Sequence, residues 1–105
     1  MINQILTAAD IPGKPARFPD PPAIHAIYFD SIEPGGPDIG PPTCIFHNCT
    51  IELYAPDISA GTAALMRLRS QLDARSIRYT TQGWYWLSNI QRYQEVIEFT
   101  YIEKN

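Results

Sequence analysis

The spacing of apolar and polar positions alternates between two periods along the chain. In "INQILTAA" (2–9), Ile2, Ile5 and Leu6 recur at i, i+3 and i+4, a helical spacing. "IPGKP" should end that helix, because neither proline nor glycine continues one. "ARF" (16–18) is expected to form a brief edge strand before "PDPP". "AIHAIYFDSI" (23–32) then alternates as a strand, with Ile24, Ala26 and Tyr28 on one face and His25, Ile27 and Phe29 on the other. Both faces are apolar, which predicts a central strand or one covered on both sides in an assembly.

"EPGGPDIGPP" (33–42) holds four prolines and three glycines in ten residues and reads as a flexible loop. "TCIFHNCTIELYAP" (43–56) follows as a long strand. Ile45, His47, Cys49, Ile51 and Leu53 share one face, opposite Cys44, Phe46, Thr50, Glu52 and Tyr54. With 23–32 it should form an antiparallel hairpin. "PDISAGTAALMRLRSQLDARS" (56–76) is the main helix, capped by Asp57 or Ser59. Its expected apolar stripe is Ile58, Gly61, Thr62, Leu65, Leu68 and Leu72.

"IRYTT" (77–81) reads as a strand, Gly83 as a turn or bulge, and Trp84 and Trp86 as pointing the same way. "RYQEVIEFTYI" (92–102) places Tyr93, Ile97, Phe99 and Tyr101 on one face, interrupted by Glu95, and Gln94, Val96, Glu98 and Thr100 on the other. The order predicts one α+β domain over 1–105. Its mainly antiparallel sheet should have four to five strands, with the main helix packed on one face and a short N-terminal helix beside it.

Composition narrows the function classes. All ten prolines fall at or before Pro56, which leaves the second half free for an unbroken helix and long strands. A net charge of −3 with scattered basic residues argues against a protein that grips nucleic acid by its phosphates. No stretch approaches the roughly 20 apolar residues of a membrane span. "MINQILTAADIPG" lacks the basic start and long apolar run of a signal peptide, so a cytoplasmic origin is expected, with Cys44 and Cys49 as thiols.

Candidate chemistry is sparse. "CIFHNC" holds zinc-type residues, but on a strand Cys44 faces away from His47 and Cys49, so metal binding is not expected. A nucleophile could come from Cys49 with His25 or with His47, yet no glycine-rich elbow lies near. "EPGGPDIG" lacks the lysine and following helix of a phosphate cradle. The clearest signal is length. Residues 43–55 and 91–102 would each run on the order of 40 Å if extended. A globule of this size has a radius of gyration near ~13 Å. Strands of that length must bend strongly or project, and projecting edges invite pairing with another chain.

The segments "RFPDPPAIHAIYFDS", "CTIELYAPD", the helix ending "LDARSIRYT" and the closing "RYQEVIEFTYIE" occur in that order. Together, over about residues 16–102, they resemble the small tail-completion proteins of long-tailed bacteriophages and prophages, which are similar to tail terminators. Ser76 departs from the family's usual glycine, and Ile97 from a common tyrosine. The resemblance implies a structural protein without catalysis or cofactor. It would form a ring with copies of itself, commonly a hexamer, at the neck of the virion after assembly in the bacterial cytoplasm. Its partners would be the tail tube protein and the head connector or adaptor, with no sequence-specific nucleic-acid or membrane binding. The expected assembly residues are Pro34, Gly35, Gly36, Pro37, Asp38, Tyr54, Trp84, Trp86, Tyr93 and Tyr101. Rival readings are another head–tail adaptor or head-closure component, a small ligand-binding regulatory domain, and an enzyme using Cys49 and His25.

Overall fold

The computed structural model describes residues 1–36 and 43–104. The elements, in order, are α1 (Ile2–Ala8), β1 (Gly13–Pro15), β2 (His25–Gly35), β3 (Cys44–Ala55), α2 (Ile58–Ala74), β4 (Tyr79–Thr81), β5 (Tyr85–Leu87) and β6 (Arg92–Lys104). The fold is α+β, with two helices among the described residues and a mixed six-stranded sheet. The strand order is β1-β2-β3-β6-β4, and β5 pairs β6 beside β4.

Three features differ from expectation. The first strand lies at Gly13–Pro15 instead of 16–18, and it runs parallel to β2, which makes the sheet mixed; Tyr85–Leu87, not expected as a strand, brings the number to six. The Pro12 carbonyl accepts from Ala26 N–H (2.8 Å), and Ala16 N–H donates to the Tyr28 carbonyl (3.1 Å). Ala16 itself takes a left-handed conformation (φ 59°), which turns the chain out of the sheet before 17 and 18 can pair. Second, Glu33, Pro34 and Gly35 belong to β2 and not to a loop. Backbone groups of even-numbered β2 residues point away from β3, as Ala26 and Tyr28 show, so the N–H that Pro34 lacks would have faced outward. The edge tolerates proline there. The remainder of the expected loop, including Pro37 and Asp38, lies outside the described residues. Third, the buried stripe of α2 is Gly61, Ala64, Leu68 and Leu72, whereas Ile58 and Thr62 are exposed. Asp57 caps the helix, accepting from Ala60 N–H at 2.7 Å, and Gly61 leads the inward face, where Trp84 and Ala55 lie against it.

β3 is the centre of the sheet. It pairs antiparallel with β2 from His25↔Tyr54 to Gly35↔Cys44, and with β6 from Ala55↔Tyr93 to Cys44↔Lys104. One face carries α1 and α2. Beneath them lie Ala26, Leu53 and Ile51, with Ile97, Phe99 and Cys49, against Ile5, Leu6, Leu68 and Leu72. Gly61 lets Trp84 lie on the helix: a Cβ there would fall 2.6 Å from the indole and 3.1 Å from Ala55. Glu95 shares this buried face, and its carboxylate accepts from the N–H groups of Gln82 (2.8 Å) and Gly83 (2.9 Å). The residue that interrupts the apolar row of β6 therefore anchors the bend that leads into β5.

The helix α2 ends in a paired turn. Ser76 N–H donates to Asp73 C=O (3.0 Å) and Ile77 N–H to Leu72 C=O (3.0 Å), with Ser76 left-handed at φ 56°. This is the geometry that favours glycine.

The molecule measures 50 × 27 × 22 Å with a radius of gyration of 15.1 Å, above the ~13 Å of a rounded domain of this length. The long strands project.

Two stability changes follow from these contacts. Ser76→Gly relieves the left-handed serine and should raise the unfolding free energy by about 1 kcal/mol. Gly61→Val overfills the contact with Trp84 and should lower it by about 1–3 kcal/mol, with a red-shifted tryptophan emission. Urea denaturation followed by fluorescence reads both.

Candidate assembly surface

The core ends at the row Asp30–Cys49–Phe99, while the three paired strands continue for five more residues in β3 and β6. At roughly 3.3 Å per residue this leaves about 15 Å of three-stranded ribbon beyond the helices. Its edges are open. β1 stops opposite Tyr28, and β4 begins opposite Phe99 and runs back toward the body, so no described strand pairs the outer edge of β2 after Tyr28 or of β6 after Phe99. The alternation puts the outward N–H and C=O groups on Asp30 and Ile32 in β2. On β6, where the Val96 carbonyl accepts from Gln82 N–H, they fall on Thr100 and Ile102. Where β4 begins, a notch of about 610 Å³ lies beside this second edge, lined by Arg78, Tyr79, Glu98 and Thr100 among others.

Both ribbon faces expose apolar side chains. Ile32 (63% exposed) stands on the helix side, and Ile102 (54%) and Phe29 (44%) on the opposite, uncovered side. Phe46 lies across Gly35, where any Cβ would strike its ring. Glycine at 35 therefore serves packing within the ribbon.

A charged staple crosses the ribbon. His47 of β3 donates from Nδ1 to Asp30 of β2 (2.9 and 3.1 Å) and from Nε2 to Glu103 of β6 (2.8 Å). Its ring stacks on Tyr101 at 4.3 Å. Only the doubly protonated imidazolium can donate at both nitrogens. The bond to Asp30, and then the bond to Glu103, hold the His47 pKa above the ordinary imidazole value. Sequence alone could not find this cluster, because its members lie 17 and 56 residues apart and meet only through the register.

The candidate nucleophile is differently placed. Cys49 lies on the helix-covered face and His25 on the other, so the two cannot form a pair. Burial pushes the Cys49 thiol up to about 12, and the adjacent Asp30 carboxylate adds to the effect. The group stays a thiol at neutral pH. Cys44 faces away from His47 and Cys49, and no group of three His, Cys, Asp or Glu among the described residues is arranged to hold a metal ion.

The sequence-predicted assembly residues separate into distinct places. Pro34, Gly35 and Gly36 sit at the ribbon end, Gly36 in a left-handed turn at φ 126°, and Tyr101 lies beneath His47. Tyr54 is buried on the uncovered face near the body, stacked on His25 at 4.9 Å. Trp84 packs inward on Gly61, whereas Trp86 is half exposed and rests on Tyr93 at 4.8 Å. The two tryptophans therefore have separate contacts.

The staple gives a pH dependence of defined sign. Its folded-state pKa exceeds the unfolded value of about 6.5, so its stabilisation is complete below that pH. It is lost as pH rises through the folded value. The stability difference between the wild type and His47→Asn should be largest near pH 6 and shrink by pH 8, as read by urea titration. The His47 imidazole should titrate above 6.5 by NMR.

Compared with known proteins, the chain matches no family model and no curated protein.

Proposed function

We propose that this chain is a structural subunit of the tail-completion type, which assembles with its own copies into a ring, commonly of six. The ring closes the end of a phage or prophage tail tube and offers a docking surface to the head connector. It acts by binding, without a chemical step, at the neck of the virion. The observation that carries this reading is the ribbon: three fully paired strands leave the body with both outer edges unpaired among the described residues. Exposed strand edges are usually shortened, charged or covered in monomers. Here Ile32 and Ile102 lie on those edges, with Pro34 blocking further extension of one. The motif order described above supplies the particular kind of assembly. A mild negative charge suits a ring through which DNA must pass without being held.

The test is mass in solution by light scattering, over a concentration series and again with tail tubes of the encoding phage. A ring, or a monomer that binds tube ends, is the expected result. A concentration-independent dimer that ignores tubes would overturn the reading. Ile102→Pro removes an outward N–H without touching the bonds from β6 to β3. It should leave the unfolding midpoint nearly unchanged while weakening assembly. Retained assembly would show that the β6 edge is not used.

A further inference from the structure

The face of the sheet opposite the helices carries two unlike ends. Near the body, residues 18–21 and 87–92 flank a groove of about 430 Å³ whose floor includes Ile27 and Tyr54. Phe18, Ile90 and His25 line its walls. Its charged group is Arg92. The guanidinium donates to the neighbouring Gln91 carbonyl (3.0 Å), and its buried Nε–H has no acceptor. No carboxylate pairs with Arg92 among the described residues. His25 supplies no second charge at neutral pH: burial lowers its pKa, and the Arg92 charge acts in the same direction, against the bond to the Pro22 carbonyl. A half-buried guanidinium whose Nε–H is buried without an acceptor, and which has no carboxylate beside it in an apolar groove, calls for an anion on an apolar carrier.

The other end of the same face meets that description. Glu33 of β2 lies in one row with Phe46 of β3 and Ile102 of β6, and the exposed Phe29 lies on the same face about 13 Å back along β2. Its carboxylate accepts from the Asn48 amide (3.2 Å) and has no cationic partner among the described residues. Asp30 and Glu103, by contrast, are held by His47. Glu52 and Glu98 lie mid-face, each bonded to a neighbouring side chain, Tyr54 and Gln82 respectively. A groove flanked by loops admits a projecting element, and the ribbon is what projects. From His25 to Glu33 the two ends are separated by roughly 26 Å along β2, so Glu33 cannot reach Arg92 within one molecule.

We propose that the Arg92 groove receives the ribbon end of a second copy of this chain, with Glu33 pairing Arg92 and Ile102, Phe46 and Phe29 covering the apolar walls. This contact rests on the ring reading and gives it a specific joint between subunits. Exchanging the charges tests it. Arg92→Glu and Glu33→Arg should each raise the dissociation constant on the order of 30-fold or more. The double variant, and an equal mixture of the two single variants, should regain wild-type association, because each restores opposite charges across the joint. Light scattering reads all four samples, with circular dichroism and thermal unfolding as the check that each is folded. Glu33 is exposed on the ribbon, so its variant keeps the test decisive should Arg92→Glu fail to fold. Wild-type association by folded Glu33→Arg, or no recovery in a mixture of folded single variants, overturns the contact while leaving ring assembly standing. A wild-type chain that stays monomeric at every concentration and beside tail tubes overturns both.

Discussion

The structure depends on β3 being hydrogen-bonded along its whole length on both sides. Twelve residues of one strand set the register of β2 and β6 at once. Every other placement follows from that register. Leu53 and Ile51 come under α2, Cys49 comes beside Asp30, and His47 comes between two carboxylates contributed by the neighbouring strands. A slip of one residue would send the buried set to the uncovered face and separate the staple. The helix α2 covers only part of this length, so the same strands serve as core at one end and as surface at the other.

Much of this was legible in the sequence, because period and chemistry agreed. β2, β3 and β6 are long proline-poor runs rich in β-branched and aromatic residues, and α2 combines a capping aspartate with leucines at helical steps. What escaped was decided by contacts distant in sequence. The short strand at Gly13–Pro15 carries two residues that argue against a strand, and it forms because α1 turns back and offers it the edge of β2. Pro34 and Gly35 signal a loop by composition, yet one sits on an edge where no donor is needed and the other makes room for Phe46. Glu95 looked like a flaw in an apolar row. Its partners are backbone groups of a bend whose position depends on the whole sheet.

The candidate surface divides similarly. Pattern alone identified long strands that must bend strongly or project, and hence the importance of their edges. It did not separate Trp84, which fills the space above Gly61, from Trp86, which remains half exposed. Nor did it find Arg92 as the charged group of a groove, since nothing in "IQRYQ" distinguishes a half-buried guanidinium with an unpaired Nε–H from a solvated one. Aromatic content was a poor guide to surface because aromatic rings serve packing equally well. The polar groups left without partners were more informative, and those become visible only in three dimensions.

The mismatch between sheet and helical cover also sets a gradient of local opening. Amides of β3 near Ile51–Ala55 lie under α2, where exchange with solvent requires much of the domain to unfold. Amides near Cys44–His47, in the same strand, are separated from solvent only by two neighbouring strands, and fraying of the ribbon releases them. One continuous strand thus passes from globally protected to locally labile. Any contact that covers the ribbon would carry the slow-exchange boundary outward along it, residue by residue.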